Sequence, residues 1–81
     1  MFGDRKRTFK ELQKLILKTL KKDRLTPNQI AKKAKIRWEV VSHQLVLLKG
    51  LGCIEDLLTH PRFRIISITD DGKIYLKELE K

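Results

Sequence analysis

The stretch IRWEVVSHQLVLLKGLGCIE, residues 36–55, decides how this chain folds. Val40, Val41, Leu45, Val46, Leu47 and Leu48 make it read as a buried helix, yet Trp38, Glu39, Ser42 and His43 interrupt the apolar run. At about 100° per residue the conflict resolves. Val41, Leu45 and Leu48 share one face, with Val40, Gln44, Leu47 and Leu51 on an adjoining flank. The remaining arc holds Trp38, Glu39, Ser42, His43, Val46 and Lys49. The spacing predicts a helix over 38–49 that packs along one broad band and shows a narrow mixed strip. Gly50 and Gly52 supply the stop, either one able to take positive φ.

Working outward, Thr26-Pro27-Asn28-Gln29 is a capping box with Pro at the first helical position, where no N–H is needed. It predicts a short helix over 27–34 that turns Ile30, Ala31 and Ala34 inward, followed by a turn at Lys35-Ile36-Arg37. A short helix, a tight turn and a second helix with an exposed N-terminal strip form the helix-turn-helix arrangement, in which the second helix lies in the major groove. Upstream, Thr8-Phe9-Lys10-Glu11 is another capping box, and Leu12, Leu15, Ile16 and Leu20 follow at helical spacing over 9–22. Downstream, 53–58 and 63–68 are rich in Ile, Leu and Phe and read as a β-hairpin around a loop at Thr59-His60-Pro61-Arg62. Thr69-Asp70-Asp71 opens a last helix, about 70–80, with Ile74, Tyr75, Leu76 and Leu79 to bury.

At 81 residues the chain reads as one α+β domain: a basic arm at 1–7, a helix-turn-helix at about 27–49, a hairpin at about 53–68 and a C-terminal helix. A core this small leaves room for a partner subunit to add to it. No apolar run approaches a membrane span, and the opening MFGDRKRTFK lacks the apolar centre of a signal peptide. The single Cys53 cannot form an internal disulfide, and one Cys with two His is a poor metal set. The four glycines are scattered, so no phosphate loop is present, and no nucleophile–base pair suggests an enzyme. No cofactor, metal or small-molecule ligand is expected, and the expected compartment is the cytoplasm, at the nucleoid.

The net charge is +9, and it is uneven. Residues 1–24 carry nine Lys/Arg against three acids, residues 25–52 five against one, and residues 53–81 five against six. Such asymmetry suggests a polyanionic partner, with nucleic acid first, since Lys/Arg contacts to phosphate supply most non-specific affinity. The strip suits base edges. Arg37 can be bidentate to guanine, Ser42 can donate or accept, His43 can donate, Glu39 can accept from cytosine, and Val46 can meet a thymine methyl. Other readings stand beside these: Trp38 as a packing anchor for the turn, Glu39 as a helix-dipole residue, His43 as a solvated side chain.

The motifs together resemble the winged helix-turn-helix domains of bacterial and archaeal transcription regulators. The resemblance lies in Ile30-Ala31-Lys32-Lys33-Ala34-Lys35-Ile36, then Val41-Ser42-His43-Gln44-Leu45 through Leu48, then Leu51-Gly52-Cys53-Ile54, then Ile68-Thr69-Asp70-Asp71-Gly72. It covers about residues 9 to 80. It implies a three-helix core, a two-stranded wing and a C-terminal helix, acting as a sequence-specific regulator on double-stranded DNA. Arg37, Trp38, Glu39, Ser42 and His43 would read bases. His60, Arg62 and Arg64 of the wing would reach the backbone or the minor groove, and Arg5, Lys6, Arg7, Lys10, Asn28 and Lys49 would meet the backbone. Arg62 and Arg64, two apart, would share one strand face, with Phe63 and Ile65 on the other. The resemblance also implies a homodimer, for which Tyr75, Leu76 and Leu79 are the interface candidates. A non-specific architectural DNA-binding protein and a winged-helix module for protein or RNA remain as alternatives.

Overall fold

A computed structural model describes the backbone of residues 8–60 and 63–81 and the side chains of residues 8–57 and 64–81. The elements run α1 (Phe9–Lys22), α2 (Pro27–Ala34), α3 (Trp38–Gly50), β1 (Ile54–His60), β2 (Phe63–Ile68) and α4 (Asp70–Leu79). Both expected capping boxes form. Thr8 Oγ1 accepts from the Glu11 N–H and Thr26 Oγ1 from the Gln29 N–H, and each acid or amide side chain accepts in return from the cap backbone. α2 ends on Lys35 in the left-handed region (φ 57°), which turns the chain sharply, and Ile36 is buried to anchor that turn.

The core is one cluster drawn from every element: Ile16, Leu17 and Leu20 of α1, Ile30 and Ala34 of α2, Val41, Leu45 and Leu48 of α3, Ile54, Ile66 and Ile68 of the hairpin, and Leu76 of α4. Each fully buried aliphatic side chain contributes about 1.5–3 kcal/mol. The face assigned to the core from the helical wheel, Val41, Leu45 and Leu48, is the face that is buried. Two amides enter as well. Gln13 accepts from the Tyr75 hydroxyl at 2.7 Å, which ties α1 to α4, and Gln44 is buried with its Oε1 meeting no partner among the described residues.

The hairpin is antiparallel, and a bulge at Leu57 sets Asp56 opposite Ile66 and Leu58 opposite Ile65. Leu25, between α1 and α2, exchanges backbone hydrogen bonds with Ile66 and so adds a bridge to the sheet edge. Two details correct the sequence reading, and one extends it. β1 continues through Thr59 and His60, so the connection is shorter than the four residues expected. Arg64, itself exposed, lies in alternation with the buried Ile66 and Ile68 and so stands on the strand face that carries them, which the sequence reading left unassigned. Ile74 and Leu51, both expected to pack, are 61 % and 58 % exposed. Leu51 falls at the helix stop, where α3 no longer holds it on the apolar flank.

Gly52, at φ +78°, makes the reversal that ends α3. Thr69 then locks the next junction. Its N–H donates to the Cys53 carbonyl, its hydroxyl donates to the Gly52 carbonyl at 2.6 Å, and the same oxygen accepts from the Gly72 N–H to cap α4. Gly72 sits so close that a Cβ there would collide with the Cys53 carbonyl oxygen. The physical content of the Thr-x-x-Gly pattern is therefore a close approach of α4 to the turn between α3 and β1.

Candidate nucleic-acid interface

The strip read from sequence is on the surface. Trp38 is 51 % exposed and Val46 70 %, Glu39 and His43 are exposed, and Ser42 is half-buried. Trp38 is thus not the buried anchor of the turn, a role that Ile36 fills. Arg37, at the N-cap of α3, lies 4.0 Å from the Glu39 carboxylate, and both side chains are at least half exposed. An ion pair this open and this long adds little stability. It does place a cation and an acceptor side by side at the entry of the helix.

α3 differs from the other helices in its start. Thr8, Thr26 and Thr69 each cap a helix through their hydroxyls, whereas Arg37 offers α3 no side-chain cap. The first N–H groups of α3 are therefore open to an external acceptor, where the helix dipole favours negative charge. Asn28 and Lys10, expected at the backbone, are both exposed near the starts of α2 and α1. Arg5, Lys6, Arg7 and Arg62 lie outside the described residues, as does the side chain of His60.

Lys49 and Arg64 are not independent cations. Lys49 Nζ donates to Asp56 Oδ2 at 2.8 Å, and Arg64 donates to Oδ1 through Nη2 at 3.0 Å and Nε at 3.3 Å. The hairpin's inner face is apolar at Ile54, Ile66 and Ile68, then turns charged at Asp56 and Arg64 as it leaves the core, and Lys49 of α3 meets it there. The Asp56 carboxyl is held below its usual range, first by the Lys49 hydrogen bond and then by Arg64, with partial burial opposing. Asp56 is a site residue that the sequence reading does not find. Its two-residue step from the buried Ile54 was the available signal.

Of the three interface candidates, Leu76 is 1 % exposed and belongs to the chain's own core, which corrects its assignment to a subunit contact. Tyr75 and Leu79 are half-buried against that core, and Ile74 is the open apolar side chain of α4. Among the described residues no group of three or more His, Cys, Asp or Glu could hold a metal ion, and no helix is long and apolar enough to cross a membrane. Burial raises the pKa of the Cys53 thiol, and Asp71 adds to the effect.

Three helices with an edge bridge between the first two, then a β-hairpin and a closing helix, make the chain a winged helix-turn-helix domain. No family model and no curated protein matches the sequence. Solved structures do. ZitR of Lactococcus lactis, a zinc-responsive MarR family member, is 26 % identical, with a TM-score of 0.72 over 83 % of this chain and 48 % of that one. MepR, a transcription regulator of the Staphylococcus aureus multidrug efflux pump MepA, is also 26 % identical, with a TM-score of 0.72 over 85 % and 53 %. Sso10a-2, a DNA-binding protein from Sulfolobus solfataricus, shares the fold at 23 % identity, with a TM-score of 0.81 over 91 % and 76 %. These are regulators and a DNA-binding protein, not enzymes. The chain spans about half the length of the MarR-type structures it matches.

Proposed function

We propose that this chain is a sequence-specific double-stranded DNA-binding transcription regulator, with α3 in the major groove. The observation that carries it is the mixed strip of Arg37, Trp38, Glu39, Ser42 and His43, displayed at the uncapped start of the second helix of a helix-turn-helix. Open N–H groups there suit a phosphate, and the strip beside them offers donors, an acceptor and an aromatic face to base edges. The wing residues His60, Arg62 and Arg64 serve the backbone or the minor groove, and Lys10, Asn28, Lys49 and the arm at Arg5, Lys6 and Arg7 serve the backbone. Asp56 keeps Lys49 and Arg64 in fixed positions for that contact. The net charge of +9 supports the same partner. A homodimer, with two recognition helices about 34 Å apart on a pseudo-palindromic site, completes the reading, which places the protein at the nucleoid.

Selection of bound duplexes from a random pool tests it. The expected result is an enriched site preferred over random duplex by about 10³-fold or more at physiological salt. His43→Ala and Arg37→Ala should relax that preference, whereas Lys10→Ala should weaken all duplexes alike. Equal binding of every duplex, with a steep salt dependence, would make the protein a non-specific coat instead.

A further inference from the structure

Two grooves lie away from the strip. One, of about 770 Å³, is bounded by Lys18, Lys21, Lys22 and Asp23 at the end of α1, by Lys33 of α2 and by Glu80 beyond α4. The other, of about 460 Å³, runs from the same 21–23 segment past Arg24 to Ser67 of β2 and Lys73 of α4. No residue of α3 borders either one. Because they share Lys21, Lys22 and Asp23, they form one continuous track with six cations against two carboxylates.

Among the described residues little answers these cations. Lys18 approaches Glu80 at 3.8 Å, with both side chains more than a third exposed. The Asp23 carboxylate accepts the backbone N–H of Arg24. Lys21, Lys22, Arg24, Lys33 and Lys73 have no ion pair among the described residues. Helix dipoles account for Lys21, Lys22 and Lys33, which stand in the last turns of α1 and α2. They do not account for Lys73, which stands near the start of α4, where a cation is disfavoured. Nor do they explain why cations from four segments converge on adjoining grooves, where like charges repel. A polyanion laid along the track removes that repulsion. The track's cations are five lysine amines and one guanidinium, and no aromatic ring lines it, which suits phosphates rather than bases.

We propose that this track seats the phosphate backbone of a second duplex, so that one chain holds two DNA segments, one at α3 and one between α1 and α4. The proposal rests on the reading above only in taking α3 to hold the first duplex. Bead-bound duplex, loaded with the full chain, is offered a fluorescent duplex in solution. The wild type is expected to retain the fluorescent duplex on the beads. The variant K21Q/K22Q/K73Q should retain at least about tenfold less, as loss of three phosphate contacts implies. Its affinity for a single duplex should stay within about threefold of wild type.

Equal retention by wild type and variant would overturn the proposal, since any bridging would then come from paired recognition helices. A fall in single-duplex affinity parallel to the fall in retention would also overturn it, because the track would then serve the first duplex. Retention of fluorescent poly-glutamate on the loaded beads where the fluorescent duplex is not retained would assign the track to an acidic protein instead. A chain that fails to load on the bead duplex at all fails the DNA-binding reading itself, a result visible before any fluorescent duplex is added.

Discussion

A methyl group at Gly72 would meet backbone, not a side chain that can swing aside. It would collide with the Cys53 carbonyl oxygen and come within 2.7 Å of Ile68 Cγ1. Gly72→Ala must therefore lift α4 away from the turn, which breaks the hydrogen bonds that Thr69 makes there. Overpacking of this kind costs about 1–3 kcal/mol, and the upper end is expected here because the obstacle is a carbonyl. For a domain of this size, about 3 kcal/mol is a drop of more than 10 °C in Tm, readable by circular dichroism. Gly50→Ala is the control: nothing lies near its Cβ position and it is helical, so the same change should be neutral or slightly stabilising.

Among the elements, the joint that matters is the one between α3 and the hairpin, made at Asp56. Its folded pKa is depressed, so the stability it contributes is present above the unfolded carboxylate value of about 3.9 and is lost as the pH falls through the lower folded value. Asp56→Asn is expected to cost about 1 kcal/mol at pH 7, given hydrogen bonds to two partly exposed cations. The gap between variant and wild type should close as urea melts are taken from pH 5 to pH 2. A gap that persists at pH 2 would mean that packing, not charge, holds the joint. The same substitution frees Lys49 and Arg64, and is expected to steepen the salt dependence of DNA binding.

At the scale of the whole molecule, the exposed side of α4 bears on assembly. α4 leaves Ile74 bare, with Tyr75 and Leu79 only partly covered, while Leu76 is already in the core. A dimer through this helix would sediment at twice 9.6 kDa at micromolar concentration, and Ile74→Glu should return it to the monomer. A dimer indifferent to Ile74→Glu has its interface elsewhere, and a wild type that sediments as a monomer throughout has none.

The local chemistry of this chain determined much on its own. Two capping boxes, a proline at a first helical position and a 3.6-residue apolar period located three helices to within a residue, because those signals act between neighbours in the chain. The face of α3 that would stay bare was legible for the same reason: Val41, Leu45 and Leu48 left only one arc over. Tertiary structure decided what depends on elements meeting. It set Arg64 on the strand face that carries Ile66 and Ile68 and paired it, with Lys49, to the Asp56 carboxylate, which the sequence does not single out. It took Leu76 into the core while leaving Ile74 outside, a choice that no single helix can make, because which side of α4 is buried depends on where α1 and the hairpin already stand. It also gathered lysines from distant segments into one track, since like charges scattered along a chain declare no common surface until the fold brings them together.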